Sequence, residues 1–144
     1  MKSIHRAMAM SSLIIMLAAS SVFAQTERRV VIDIPFRFTV GEKTLPAGEY
    51  SIEPNKRGSD AVWVLRAANG SETAVLMTIA IRSNRTQETP KLVFRRYDEQ
   101  YFLAQIWTPG TNTGRELRVV GRERALELAS NRMREEYVLV ASNE

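Results

Sequence analysis

The sequence predicts an all-β fold, an antiparallel β-sandwich or small barrel of about seven to eight strands with one short C-terminal helix. Three observations lead there. Apolar residues fall on alternate positions from Val30 to Val40, which a chain of period two places on one face of a strand. Asn69-Gly70 stands between two apolar runs, the strongest short hairpin signal in the chain. Only Arg122 to Met133 spaces its apolar residues as a helix does, with Ala125, Leu128, Ala129 and Met133 on one face.

The first 24 residues read as an address rather than as part of that fold. Lys2, His5 and Arg6 precede an uncharged stretch from Ala7 to Ala19, and Val22 and Ala24 suit a signal peptidase cutting between Ala24 and Gln25. An apolar core of about 13 residues is short of the roughly 20 that cross a bilayer, so cleavage is expected to leave no membrane span. The expectation is a single β domain over 25–144, exported to the periplasm or beyond. With no Cys in the sequence, a lipid anchor on a processed cysteine is excluded.

Processing changes the charge and the chemistry. Lys+Arg fall from 20 to 18 against 16 acidic residues, so the net charge drops from +4 to +2. Nucleic-acid binding calls for a concentrated basic excess, which this balance lacks. His5, the one histidine, leaves with the signal, and there is no Cys. Ser-His and Cys-His nucleophiles, thiol redox chemistry and imidazole or thiolate metal sites are thereby excluded. No cofactor is implied.

The elements follow in order. Within Val30 to Val40, Pro35 has no N–H to give and marks an edge, bulge or break. Leu45-Pro46-Ala47-Gly48 has proline second and glycine fourth, as in a type I turn, and a strand from Glu49 to Pro54 follows. Ala61 to Ala67 is the next strand, and Asn69-Gly70 joins it to a long one from Thr73 to Arg82. That strand is apolar on both faces, which predicts a central position. Lys91 to Tyr97 and Gln100 to Thr108 flank Asp98-Glu99 as a tight hairpin that holds most of the aromatic residues. A loop from Pro109 to Gly114, a short strand over Leu117 to Val120, the helix, and a last strand from Tyr137 to Ala141 complete the chain.

Two blocks, IPFRFTVGEKTLPAGEYSIEP (34–54) and KLVFRRYDEQYFLAQIWTPGTNTGREL (91–117), resemble a family of small, signal-bearing bacterial β proteins. Its members share a PFxF…LPAGEY start and a later LVF…YFLxxW…GREL hairpin. Where relatives often carry a histidine and a glycine near the hairpin turn, Arg95 and Asp98 stand here. The family is uncharacterised, and the resemblance carries over no catalytic residue.

The candidate ligand or partner surface is the hairpin, through Tyr97, Tyr101 and Trp107 with Arg95 and Arg96. Aromatic rings on strands can stack on a sugar or fill a core, the second being commoner on a half-buried pleated surface. Trp107, next to the strand-ending Thr108-Pro109, is expected to be the most exposed. Arginines at 82, 85, 95, 96, 115, 118, 122 and 124 suit a phosphate, acidic polysaccharide or lipid headgroup, although Glu116 and Glu123 interleave them. Pro46, Gly48, Asn69 and Gly70 are assigned to turn geometry. The expected function is a non-enzymatic binding or envelope-associated module that meets a protein or polysaccharide. The alternative is a carboxylate-based hydrolase of envelope or extracellular polysaccharide, using Glu49, Glu53 or Glu116.

Overall fold

The computed structural model describes residues 29–129 and 135–141; the proposed signal peptide and its cleavage site lie outside them. The described residues form an all-β, sandwich-like structure with ten strands and one short helix, and the sheet does not close into a barrel. The count exceeds the expected seven to eight because one long run divides and a further short strand follows it. Pro35 ends β1 (Val30–Ile34), and the chain resumes as β2 (Phe38–Val40) in the other layer, turning back at Gly41 into β3 (Lys43–Leu45).

The first layer is an antiparallel meander. β1 pairs with β4 (Gly48–Pro54), which pairs with β5 (Val62–Ala67), which pairs with the first half of β6 (Thr73–Arg82). β6 then changes partner. Its residues 73–77 face 62–66 of β5, while 78–82 face 113–117 of β9 (Thr113–Leu117), so one strand carries the chain from layer to layer. In the second layer β8 (Gln100–Trp107) gives one edge to β7 (Lys91–Tyr97). Its other edge is shared, with β9 alongside Gln105 to Trp107 and β2, in parallel, alongside Tyr101 and Phe102. β10 (Glu135–Val140) lies on the far side of β7.

The core fills the space between the layers. Val30, Ile32, Ile34, Tyr50, Ile52, Trp63 and Leu65 meet Phe38, Leu45, Leu92, Phe94, Leu103 and Ile106 in one cluster. Phe38 and Tyr50 join the layers edge to face, with centroids 5.2 Å apart. Each such aliphatic side chain removed from water stabilises the fold by about 1.5–3 kcal/mol, which a cysteine-free domain needs in full.

Three expectations are corrected. β9 begins at Thr113 and ends at Leu117, inside the span read as a loop and short of Val120. The helix α1 spans Gly121–Ala129, and the remainder of its expected length, with Met133, lies outside the described residues. Its apolar stripe faces solvent. Leu128 is 76% exposed, and Glu123, three and four residues before Leu126 and Glu127, is the side chain it buries. The reason is a charge on the sheet beneath it, described below. β6 is central, as expected, but only its Ala74, Leu76 and Thr78 face is buried, whereas Val75, Met77 and Ile79 are open to solvent. No helix of the described residues is long and apolar enough to cross a membrane.

The LPAGEY segment shows how a turn is held. Tyr50 is buried on β4, and its hydroxyl donates to the Pro46 carbonyl at 2.7 Å. Burial, with a smaller contribution from Glu72, raises its pKa above the usual 10.0. The unfolded chain therefore releases this proton first as pH rises past 10.0, and the folded state loses stability between there and the raised value. Tyr50→Phe is expected to cost about 1–2 kcal/mol at pH 7 through the lost hydrogen bond, and to unfold less steeply than the wild type above pH 10. Urea midpoints at pH 7 and pH 10.5 check both.

Candidate functional site

The β7–β8 hairpin does not present its aromatic residues as one platform. Two residues, Asp98 and Glu99, connect Tyr97 to Gln100, with Asp98 at φ 52°, a left-handed conformation that Asp tolerates better than most side chains. Alternation then sends the hairpin side chains to opposite faces. Tyr97 and Phe102 meet edge to face at 5.7 Å on the outer face, both buried. Trp107, expected to be the most exposed member, is instead 6% exposed. Its indole lies over Gly114 of β9, Lys91 sits 5.2 Å from the ring centroid, and the ring N–H donates to Gln105 Oε1 at 3.0 Å. The ring is flat against the sheet because the neighbouring strand offers no side chain at that point.

Arg95 is likewise removed from the solvent-facing surface. It is buried on the outer face of β7, where Nη1 donates to Glu123 Oε1 at 3.0 Å and Nη2 to the Leu117 carbonyl at 2.9 Å. Glu116 adds a carboxylate at 3.6 Å. A buried guanidinium requires such partners, and Glu123 can supply one only if the charged side of α1 faces the sheet. This is why the helix turns its apolar stripe outward.

Of the sequence-predicted surface residues, Tyr101 and Arg96 remain accessible, and they lie together. Phe36 stacks on Tyr101 at 4.0 Å and 19°, while the Arg96 guanidinium lies 5.7 Å from the centroid of the same ring. Tyr137 of β10 meets both aromatic rings edge-on. Arg96 also reaches Glu99 and Glu135, each at 3.5 Å. With neighbours occupying its ring, Tyr101 is poorly placed to stack on a sugar.

Beside it is a notch of about 330 Å³, lined by Arg37, Thr39, Thr44, Glu99, Gln100, Tyr101 and Arg122. Four elements build it. Arg37 precedes β2, Thr39 and Thr44 pair across the β2–β3 hairpin with their hydroxyls 3.2 Å apart, Gln100 and Tyr101 open β8, and Arg122 belongs to the first turn of α1. Neither Arg37 nor Arg122 forms an ion pair or side-chain hydrogen bond among the described residues. Gly121 brings another carboxylate close. A β-carbon there would fall 2.8 Å from Glu42 Oε1, so glycine, at φ 52°, leaves room for Glu42 beside the positive end of the helix. The helix end is thus served from within the chain, and the notch carries Arg37 and Arg122, while its Glu99 carboxylate is engaged by Arg96.

The turn residues gather elsewhere. Pro46, Gly48 and Asn69 line a hollow of about 260 Å³ at the opposite ends of β4 and β5 from Pro54, where the Ala68 N–H donates to the Glu49 carbonyl at 2.9 Å. Gly70 takes φ 73°, whereas Asn69 stays out of the left-handed region, so the loop is not the two-residue type I′ turn that Asn-Gly suggests. The Gly70 N–H instead closes on the Ala67 carbonyl at 2.9 Å. Of the carboxylates, Glu53 is held by Arg66 at 2.6 Å, and Glu116 faces Arg95 and Gln105. Arg37, Thr39, Thr44 and Gln100 were not singled out in the sequence, because the notch depends on the parallel β2–β8 contact, which no local pattern announces. No known protein-family model, curated protein or solved structure matches the chain.

Proposed function

We propose that the protein is an exported, non-enzymatic binding module whose notch holds an acidic polysaccharide. The observation that carries this reading is the pair Arg37 and Arg122, two cations without an ion-pair partner among the described residues, beside the hydroxyls of Thr39 and Thr44 and the amide of Gln100. Guanidinium forks match carboxylate and sulfate oxygens, while hydroxyl and amide groups suit the alcohols of a sugar. A volume of about 330 Å³ holds one or two sugar rings rather than a buried small molecule. A linear polymer would extend past the notch and gain by occupying it repeatedly. The hydrolase alternative has less support, since Arg66 engages Glu53 while Arg95 and Gln105 engage Glu116.

Calorimetry with polygalacturonate as the acidic probe and dextran as the neutral one tests the proposal. Two exposed ion pairs contribute about 0.5–1 kcal/mol each, so Arg37→Ala/Arg122→Ala is expected to weaken polygalacturonate binding roughly 5- to 30-fold with an unchanged circular dichroism spectrum. Raising salt from 50 to 500 mM should weaken the wild type in the same direction. Equal affinity for dextran, or full affinity in the double variant, would remove the proposal.

A further inference from the structure

The turn between β5 and β6 sets a backbone nitrogen beside a side-chain amide. Of the six asparagines in the sequence, at 55, 69, 84, 112, 131 and 143, Asn69 alone precedes a glycine. Asn69, Gly70 and Ser71 are all exposed. Asn69 Oδ1 accepts two hydrogen bonds from one residue, the Ser71 N–H at 3.0 Å and the Ser71 hydroxyl at 2.7 Å. The space around Gly70 is open, since a β-carbon there would meet nothing within 4 Å.

We propose that Asn69 is a site of spontaneous deamidation, in which the Gly70 nitrogen closes on Asn69 Cγ while Ser71 holds Oδ1. Hydroxide removes the Gly70 N–H proton, and the nitrogen lone pair forms a bond to Cγ. The electron pair of the carbonyl π bond moves onto Oδ1, where the two Ser71 donors meet the developing charge. Collapse of that intermediate breaks the Cγ–Nδ2 bond, and Nδ2 leaves as ammonia with a proton from water, which restores the hydroxide. Water then opens the five-membered succinimide at either carbonyl, giving aspartate or β-aspartate.

Two opposing features set the rate. Glycine brings no β-carbon to obstruct ring closure and turns freely about its backbone. Against this, the Gly70 N–H donates to the Ala67 carbonyl at 2.9 Å, and that bond must open before the nitrogen can attack. Opening an exposed loop costs little free energy. Asn55 is a matched comparison within the same chain. Its Oδ1 also accepts from the backbone two residues on, the Arg57 N–H at 3.3 Å, but Lys56 follows it and residue 57 has no hydroxyl. The β-aspartyl product would lengthen the chain by one carbon inside the loop that the Ala67 N–H closes on the Glu72 carbonyl at 2.9 Å.

Peptide mapping of the folded protein held at pH 8 and 37 °C tests the proposal, with Asn55 as internal reference. Asn69 is expected to convert about tenfold faster than Asn55, because a β-carbon stands at residue 56 and none at residue 70. Its product should contain both aspartate and β-aspartate, since direct hydrolysis of the amide yields aspartate alone. Ser71→Ala, which removes one of the two donors, should slow conversion about fivefold, while Ser71→Thr, which keeps the hydroxyl, should retain the wild-type rate. Conversion at Asn69 no faster than at Asn55, or a product free of β-aspartate, would overturn the proposal. So would a Ser71→Ala protein that converts as fast as the wild type.

Discussion

Glu123→Ala is expected to lower the unfolding free energy by about 3–5 kcal/mol, the largest loss anticipated from any single substitution outside the apolar core. The side chain is buried, and its deletion leaves the Arg95 charge against Leu117 O with only Glu116, 3.6 Å away and partly exposed, to balance it. Glu123→Gln keeps a hydrogen-bond acceptor at the same position and should lose less. Replacing both partners, as in Arg95→Met/Glu123→Leu, removes the charge along with its counterion and should recover much of the loss, because the pair's desolvation penalty disappears too. Urea unfolding at constant m-value measures all three. A loss below about 1 kcal/mol for Glu123→Ala would mean that the guanidinium reaches water and that the pair does not hold α1 on the sheet.

The second large effect is expected at Gly114. A β-carbon there would lie 2.6 Å from Trp107 Cε3 and within 2.8 Å of two more ring carbons, closer than real contacts permit. The obstacle is a rigid bicyclic ring, so Gly114→Ala must move the indole or the strand. Overpacking of this kind costs about 1–3 kcal/mol. The displaced ring would also lose its bond to Gln105 and its contact with Lys91, so near-ultraviolet circular dichroism should change together with stability. Trp107→Ala should suppress the effect, making the Gly114→Ala cost strongly non-additive in that background. Additive costs would place the strain elsewhere.

Much of the layer structure was legible because it depends on period two. Val30, Ile32, Ile34, Tyr50, Ile52 and Leu65 point inward as alternation requires, and Pro35 breaks the first run as an amide without hydrogen must. Four features were hidden, each for a physical reason. α1 was expected to bury its apolar stripe, but a desolvated guanidinium on the sheet attracts a carboxylate more strongly than a modest apolar face attracts the core. β6 was read as apolar on both faces, and periodicity alone cannot distinguish a doubly buried strand from one that leaves Val75 and Met77 in water. Trp107 was placed near solvent because a proline ends its strand. What buries it is Gly114, a residue on another strand whose lack of a side chain makes a berth for the ring. The notch was hidden for the same reason, since Arg37 and Arg122 meet only through long-range pairing.

The central claim, the proposed binding of an acidic polysaccharide at Arg37 and Arg122, is tested most directly by titrating isotopically labelled protein with oligogalacturonate and following backbone amide shifts. The account predicts the largest changes within residues 37–44, 99–101 and 121–122, all attenuated in Arg37→Ala/Arg122→Ala. Shifts centred on Lys91, Trp107 and Gly114, or spread evenly over the surface arginines, would contradict it.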